Sequence, residues 1–427
     1  MRDRLYTFCL IICLMLGISG ITHGSVNAEP TQQFVPKLGP FIQIWDDVGS
    51  NSGSVVTYNP LHDEYLVVWV TIHDAFSSDI WGCRLRADGS PIQNGWFNID
   101  NSAGIHLGDP AVVYNPDTDQ YLVVYTAEIS TGNQDIWGRL VNWNGALSSR
   151  LYIDDRVQNQ TDPALAYNNI ENQYLVAYSH WQTSSTVNVQ LQSLNAAGNV
   201  VNSASILSGA DQYRGGPDLA YNSSKNQYLV VYGHEGSFLP RVLGKSFSAT
   251  LVSMSPEFQY NDDGLIGTNP KLTCHISECL VAWNGFNDST IKARRISFSG
   301  TPLGPAGGFE ISGYIENVDH QVTSVSLFKP WGYLVTWDYF LMTSADEGDV
   351  FGIMVGFGED QALGDSFPLD NRPYYQGKSD LACDRSGSCL LTNSHNPVQY
   401  PAGDLGISGR LVFTSRTYLP LTLRVVH

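Results

Sequence analysis

Charged residues are scarce in this sequence, and cationic residues are the scarcer kind. Only 15% of the 427 residues are charged, and 23 Lys and Arg stand against 41 Asp and Glu, which gives a formal net charge of −18. A chain this acidic repels phosphate backbones, so a nucleic-acid partner is not expected. Helix-forming residues are also sparse, whereas Tyr, Val, Thr, Ser, Asn and Gly are plentiful. This composition favours an all-β fold.

Long apolar runs are missing everywhere except at the N-terminus, so we expect no membrane span. Arg2 and Arg4 precede the apolar segment 5–21, and Val26-Asn27-Ala28 offers a small-residue cleavage site. These features predict a signal peptide at residues 1–28. The exported chain would be secreted or held at the cell surface, with a linker at residues 29–37.

One motif recurs every 51 to 56 residues and divides the chain into seven repeats. It reads Tyr65-Leu-Val-Val-Trp69 in the first repeat, and later copies begin at Tyr121, Tyr174, Tyr228, Cys279, Tyr333 and Cys389. Four β segments surround each copy. In the second repeat they are 110–114, 121–128, 135–141 and 151–154, which we name A, B, C and D. Four short strands per unit of about fifty residues are typical of a propeller blade.

The two ends of the chain predict how the ring closes. Residues 41–44 align with D segments, and no A, B or C segment precedes them. The last repeat has A, B and C segments but no D segment. We therefore predict a seven-bladed β-propeller at residues 38–415, with four antiparallel strands per blade and the last blade closed by the N-terminal strand. A tail at residues 416–427 would be an extra strand, a sorting or anchoring signal, or a frayed end.

Cysteines are few, and four of them replace paired tyrosines. Four repeats carry two tyrosines seven residues apart, at the end of A and the start of B, as in Tyr58 and Tyr65. In the fifth and seventh repeats both become cysteines, so each pair should face across the hairpin within disulfide range. We predict disulfides Cys274–Cys279 and Cys383–Cys389, which suit an exported chain. Cys83 stays unpaired, as a core residue.

Polar residues directly before the A segments should surround one mouth of the central channel, because A strands are innermost in a propeller. They are Gly53, Asp109, Asp162, Gly216, Asn269, Gln321 and Lys378. The D segments end in further carboxylates, Asp100, Asp154 and Asp370 among them, which we expect close by. Converging carboxylates could bind a cation or a polyhydroxylated ligand, or supply acid and base groups. Ordinary turn chemistry would place Asp at these positions as well.

Loops on the same face carry aromatic and histidine side chains that could complete a ligand site. The ligand-binding candidates are Asp109, Asp162, Asn269, His180, Trp181, His234, Tyr339 and Tyr374. By contrast, the repeated Asp-Ile-Trp-Gly motif, as at residues 135–138, should be structural, with the aromatic ring filling space between blades and Gly allowing close packing.

Catalytic and cofactor motifs are missing: no GxSxG, HExxH, P-loop, dinucleotide fingerprint or EF-hand loop occurs. We therefore predict no cofactor and no metal, and a non-enzymatic role is favoured. Propeller hydrolases, however, draw acids from several blades and leave no local motif. A glycoside hydrolase or polysaccharide lyase with Asp109 and Asp162 as its acids is the alternative, and a structural cell-envelope component is the third.

The repeat resembles the tandem repeats of secreted bacterial β-propeller proteins. Pro110-x-x-x-Tyr114-Asn115-Pro116, Tyr121-Leu-Val-Val-Tyr125 and Asp135-Ile-Trp-Gly138 carry the resemblance, which covers about residues 38–415. It implies an extracellular or cell-surface propeller and brings no established catalytic residues. The predicted function is an exported module that binds an extracellular protein or a glycan.

Overall fold

The structure is a computed structural model of the full chain. It describes residues 36–413, except 47–49, 75, 210–211, 236–239, 262–266, 286–289, 314–317, 342–347 and 397–404. The predicted signal peptide and C-terminal tail, and most of the linker, lie outside this range. Within it the chain forms strands and turns and no helix, and none of it could therefore span a bilayer as a helix.

The first three repeats each contribute four strands. Those of repeat 1 are β2 (Ser50–Asn59), β3 (Glu64–Asp74), β4 (Ser77–Arg86) and β5 (Pro91–Asp100). Those of repeat 2 are β6 (His106–Asn115), β7 (Gln120–Ser130), β8 (Asn133–Asn142) and β9 (Leu151–Asp154). Those of repeat 3 are β10 (Gln160–Asn168), β11 (Gln173–Trp181), β12 (Val187–Asn195) and β13 (Val200–Ile206).

The next three repeats follow the same order. Those of repeat 4 are β14 (Tyr213–Asn222), β15 (Gln227–Glu235), β16 (Arg241–Ser248) and β17 (Phe258–Gln259). Those of repeat 5 are β18 (Gly267–Cys274), β19 (Cys279–Gly285), β20 (Thr290–Ile296) and β21 (Phe309–Glu310). Those of repeat 6 are β22 (Val318–Phe328), β23 (Gly332–Leu341), β24 (Gly348–Gly356) and β25 (Phe367–Asp370).

The last repeat is completed by the start of the chain. Its strands are β26 (Gln376–Cys383), β27 (Cys389–His395) and β28 (Gly406–Phe413), and β1 (Lys37–Trp45) pairs antiparallel with β28. The protein is thus an all-β propeller with four-stranded blades. Its strands form five four-stranded sheets and one eight-stranded sheet, in which repeats 3 and 4 are joined at a single residue pair, Val187 and Tyr213.

The repeated B strand is continuously apolar because neighbouring sheets cover both of its faces. In β3, Tyr65, Val67 and Trp69 pack in a cluster with repeat 7, whereas Leu66 and Val68 pack in a cluster with repeat 2. Clusters of buried side chains join each described repeat to the next in this way, and one joins repeat 7 to repeat 1. The core therefore lies between the sheets and runs around the ring.

The paired tyrosines and cysteines lie where the sequence predicts. Tyr58 is the cross-strand partner of Tyr65, and both predicted disulfides, Cys274–Cys279 and Cys383–Cys389, are present. Cys83 is the free cysteine of the described chain and is buried. Disulfides form in oxidising compartments, which indicates an extracellular environment.

The hairpin between the A and B strands also links each repeat to the next. Asn59 caps its own turn and donates from Nδ2 to the Tyr121 hydroxyl of repeat 2 at 3.0 Å; Asn115 bonds Tyr174 of repeat 3 in the same way at 2.9 Å. In the two hairpins that carry a disulfide, a backbone carbonyl replaces the Asn side chain as the partner of the tyrosine hydroxyl in the next repeat. Tyr333 donates to the carbonyl of Glu278 at 3.1 Å, and Tyr65 donates to that of Ser388 at 3.4 Å.

The Asp-Ile-Trp-Gly motif has the predicted structural role. Trp137 is buried in the cluster between repeats 1 and 2. A Cβ atom on Gly138 would lie 2.9 Å from the Val123 carbonyl oxygen, so a side chain there would collide with the neighbouring strand.

Candidate functional site

A β-bulge at the start of the A strand aims one residue at the channel in six of the seven repeats; in repeat 6 the bulge lies between Val322 and Ser324, and Gln321 pairs with Asp338. In repeat 2, Gly108 pairs with Thr126 and Ala111 with Val124, so β6 carries one extra residue at this point. The extra residue has a left-handed backbone, for which Gly, Asn and Asp are the favoured residues. The φ angles are 63° at Gly53, 42° at Asp109, 55° at Asp162, 57° at Gly216, 49° at Asn269 and 50° at Lys378.

These residues line one cavity of about 650 Å³ along the axis of the ring. The cavity is lined by all seven residues that were predicted to surround one mouth of the channel: Gly53, Asp109, Asp162, Gly216, Asn269, Gln321 and Lys378. Since consecutive repeats are neighbours, Asp109 and Asp162 are adjacent, with Gly53 and Gly216 on either side. Asn269 and Gln321 lie across the ring from them.

Asp109 and Asp162 form an acidic arc on one side of the mouth. Both are exposed to the channel, yet the surrounding wall desolvates Asp109. That desolvation and the negative charge of Asp162 raise the pKa of the Asp109 carboxyl. Asp109 accepts a long bond of 3.4 Å from the Thr126 hydroxyl. Asp162 accepts from the hydroxyls of Thr161 and Ser179, each at 2.9 Å.

Two aromatic side chains, Trp181 and Tyr213, lie near Asp162, but neither lines the cavity. The Trp181 indole N–H donates to the Thr161 hydroxyl at 3.3 Å. The rings of Trp181 and Tyr213 pack edge to face, with 6.1 Å between their centroids. Tyr213 crosses over Gly215, where a Cβ would lie 2.5 Å from the phenol oxygen and 2.7 Å from Ser179 Oγ. Burial and the charge of Asp162 raise the pKa of Tyr213 to about 12.

A lysine and a buried carboxyl occupy another part of the mouth. Lys378 donates from Nζ to Ser52 Oγ at 3.0 Å. Asp338, which is 2% exposed, accepts the backbone N–H of Lys378 and, at 2.7 Å, the hydroxyl of Ser379. Burial raises the pKa of Asp338 to about 7, although these bonds and the lysine charge oppose the shift.

Three charged residues deeper in the channel were missed from the sequence. Asp218 and Asp380 each accept a backbone N–H from the next repeat, that of Leu272 at 2.6 Å and that of Val56 at 2.9 Å. Lys271 lies near both, and its charge opposes the rise that burial causes in their pKa values. A signal was available in the sequence, because the other four repeats have an uncharged residue at this position, two residues after Gly53, Asp109, Asp162 or Gln321: Val55, Ala111, Ala164 and Thr323.

The remaining ligand candidates are held elsewhere in the molecule. His180 is buried, with Nδ1 bonded to the Gln182 side chain, and His234 bonds the Tyr213 carbonyl through Nδ1 at 3.1 Å. Burial lowers the pKa of both. Tyr339 packs on the rings of His320 and Phe351. Tyr374 is 36% exposed in the connection before β26. None of these four lines the cavity.

Asp100, Asp154 and Asp370, at the ends of described D strands, do not line the cavity, which corrects the prediction that they lie close by. They are buried between repeats and bonded to arginine: Asp100 to Arg150, Asp154 to Arg156 and Asp370 to Arg372. Asp100 and Asp154 also accept the hydroxyls of Tyr125 and Tyr178 in the next repeat. They are interface ion pairs. Among the described residues, no cluster of three or more His, Cys, Asp or Glu could hold a metal.

Comparison with known proteins supports the fold and nothing finer. No family model matches the chain, and no curated protein matches it. A protein of unknown function from Dyadobacter fermentans aligns over 73% of this chain and 95% of its own, with 9% identity and a TM-score of 0.50. Raptor from Chaetomium thermophilum aligns over 90% of this chain but only 30% of its own, with 12% identity and a TM-score of 0.52. The chain folds as a β-propeller.

Proposed function

We propose that this protein is an exported, non-enzymatic β-propeller that binds an extracellular ligand at the channel mouth, with glycans as the first class to test. One observation carries the proposal: Asp109, Asp162, Asn269 and Lys378, from four different repeats, point into one cavity of about 650 Å³. A cavity of roughly 300–1,000 Å³ with a few convergent polar groups is typical of small-molecule sites. The predicted signal peptide at 1–28 and the disulfides agree with a role outside the cell.

We also infer that each of the seven repeats is one blade. The two halves of the eight-stranded sheet share a single bridged pair, Val187 and Tyr213. The apolar cluster between repeats 3 and 4 resembles those between the other neighbours, which supports counting the halves as separate blades.

The binding function is tested with residues 29–427 on a glycan array, followed by calorimetry on each hit. We expect one class of glycan to bind and the double variant Asp109→Asn/Asp162→Asn to lose at least tenfold in affinity. Glu310→Gln is the matched control, because Glu310 is an exposed carboxylate on the outer strand β21. A chain that retains no ligand from the array, or a double variant with unchanged affinity, would contradict this assignment.

A glycoside hydrolase or lyase is the second candidate, and the acidic arc is the observation that favours it. A carboxyl with a raised pKa next to a second carboxyl is a usual arrangement at the active site of a glycosidase, and burial together with the charge of Asp162 raises the pKa of Asp109. Release of reducing or unsaturated ends from array hits would support catalysis, and Asp109→Asn and Asp162→Asn should each abolish it. Unchanged turnover in both variants would exclude these residues as the acids.

A further inference from the structure

The seven-residue pattern Asp-x-Arg-x-x-x-Gln occurs twice in this chain, at residues 154–160 and 370–376. Each copy leads from a D strand into the next A strand. Its glutamine, Gln160 or Gln376, pairs across the hairpin with a histidine of the B strand, His180 or His395. The other five repeats carry different residues at these two positions: Asn51 and Thr71, Leu107 and Ala127, Arg214 and His234, Gly267 and Gly285, and His320 and Tyr339. Repeats 3 and 7 thus share an arrangement, which we call the Gln–His pair, that the other repeats lack.

Each Gln–His pair lies where the connection from the D strand is fastened to the sheet. The glutamine amide donates to a carbonyl of the connection, and the residue after the histidine donates its backbone N–H to the residue before the glutamine. The bonds are Gln160 to Gln158 at 2.7 Å, Gln376 to Pro373 at 3.2 Å, Trp181 to Asn159 at 2.9 Å and Asn396 to Tyr375 at 2.9 Å. The connection and the start of the B–C loop are therefore held at the same point.

Both histidines are buried, and each has one ring nitrogen without a partner. His180 is 4% exposed and His395 is 7% exposed. Nε2 of His180 and Nδ1 of His395 accept or donate no hydrogen bond among the described residues. An imidazolium donates from both ring nitrogens. Protonation would therefore bury a positive charge with an N–H group that has no acceptor, which costs free energy.

The surroundings of His180 favour the neutral ring. Its cross-strand neighbours, Gln160 and Asn188, carry no charge. Burial lowers the pKa of His180, and the charge of Arg156 lowers it further, whereas the charge of Asp154 opposes the shift. Arg156 already pairs with Asp154 at 2.5 Å, so this carboxylate compensates an imidazolium poorly.

The surroundings of His395 are alike. It lies between Gln376 of β26 and Gly406 of β28, and a Cβ atom on Gly406 would lie 2.7 Å from its Cε1 atom. Burial lowers the pKa of His395, and the charge of Arg372 lowers it further. Arg372 is in turn paired with Asp370 at 2.6 Å. The groups that oppose the shift are Asp370, the Gly406 backbone and Asp46, directly after β1.

We propose that the two Gln–His pairs are acid-sensitive contacts, in which protonation of His180 and His395 releases the connections at residues 155–159 and 371–375 from the sheet. Asp162 and Lys378 follow the glutamines by two positions and line the channel mouth. Acid would therefore loosen the mouth in repeats 3 and 7. Repeat 2 should not respond, because Leu107 and Ala127 occupy these positions and do not titrate.

Hydrogen exchange on residues 29–427 at pH 7.0 and pH 5.0, corrected for the intrinsic chemical rate, measures this opening. A histidine in an opened segment titrates near pH ~6.5, so opening takes up a proton below that pH and becomes easier as the pH falls. We expect opening at the backbone N–H groups of Trp181 and Asn396 to increase roughly fivefold or more between these pH values. Opening at Glu128, the matched position in repeat 2, should change less than about twofold.

Variants assign the effect to the two rings. His180→Gln/His395→Gln removes both titrating groups and should abolish the increase at Trp181 and Asn396. His73→Gln is the control, because it removes an imidazole whose side chain is 45% exposed, and it should retain the increase.

The comparison of repeats 2, 3 and 7 needs only the wild-type chain, so a double variant that failed to fold would leave the test intact. Equal pH dependence at Glu128, Trp181 and Asn396 would overturn the inference, and so would an increase that persists in the folded double variant. The measurement uses no ligand. A mouth that bound no glycan would contradict the proposed function and leave this inference unaffected.

Discussion

Individual carboxyl groups in this molecule differ in their surroundings, and those surroundings determine their charge. Burial alone would raise the pKa of Asp100, but Arg150 donates to its carboxylate at 2.6 Å, and the hydroxyls of Tyr125 and Ser102 donate to it as well. These hydrogen bonds outweigh burial, so the pKa of Asp100 is lowered. Asp338 is equally buried, but its donors are backbone N–H groups and a serine hydroxyl, and these bonds together with the charge of Lys378 do not offset burial, so its pKa is raised. Titration of Asp338 should therefore be visible in the stability of the fold.

The pKa of Asp338 is raised to about 7 in the folded protein, so it keeps its proton there at pH values where the unfolded chain has lost it. Its contribution to the free energy of unfolding should be complete below pH ~4 and fall as pH rises toward 7, with a slope of at most about 1.4 kcal/mol per pH unit. Asp338→Asn, which keeps an acceptor for the Lys378 N–H, should remove this slope. Urea unfolding of both proteins between pH 4.5 and 7.5 measures the difference, and parallel pH profiles would contradict the prediction.

Elements were predictable where burial imposes a pattern on every copy. The B strand is apolar on both faces, so its motif survives in all seven repeats, and the tyrosine pairs place the disulfides. The D-strand acids were misplaced because a position at a strand end does not say which way a side chain turns; Arg156 and Arg372, two residues after Asp154 and Asp370, were the overlooked signal. Asp218, Lys271 and Asp380 were missed because they break the repeat rather than follow it.

The disulfide hairpin β18–β19 should stabilise the next repeat as well as itself. Removing the bond in Cys274→Ala/Cys279→Ala should cost roughly 2 kcal/mol of unfolding free energy through loop entropy. It should also loosen the Glu278 carbonyl that accepts the Tyr333 hydroxyl. Tyr333→Phe should therefore cost about 1 kcal/mol in the wild-type background and less in the alanine background. Urea unfolding of the wild type, the double alanine variant, Tyr333→Phe and the triple variant completes this double-mutant cycle. Equal costs of Tyr333→Phe in both backgrounds would show that the disulfide does not position the Glu278 carbonyl.

The molecule as a whole depends on one non-local pairing, that of β1 with β28. β1 supplies the outer strand that repeat 7 lacks, and Ile44 is 3% exposed between repeats 7 and 1. Trp96 of repeat 1 also donates to the Ile44 carbonyl at 2.9 Å. Closing the ring in this way leaves the last sheet with the same number of strands as an internal one, so that β28 is covered and the outer edge is β1.

Matched substitutions test whether β1 is a full member of the ring. Ile99 in β5 occupies the position in repeat 1 that Ile44 occupies in repeat 7, and it is 1% exposed. Ile44→Ala and Ile99→Ala should each cost about 2–5 kcal/mol, because each leaves a cavity between two packed sheets. In urea, tryptophan fluorescence and circular dichroism should report the same single unfolding transition, and both substitutions should shift it to lower urea concentration. If β1 were loosely attached, Ile44→Ala would cost less than about 1 kcal/mol, well below the range for a packed core position, and the ring would not close through this strand.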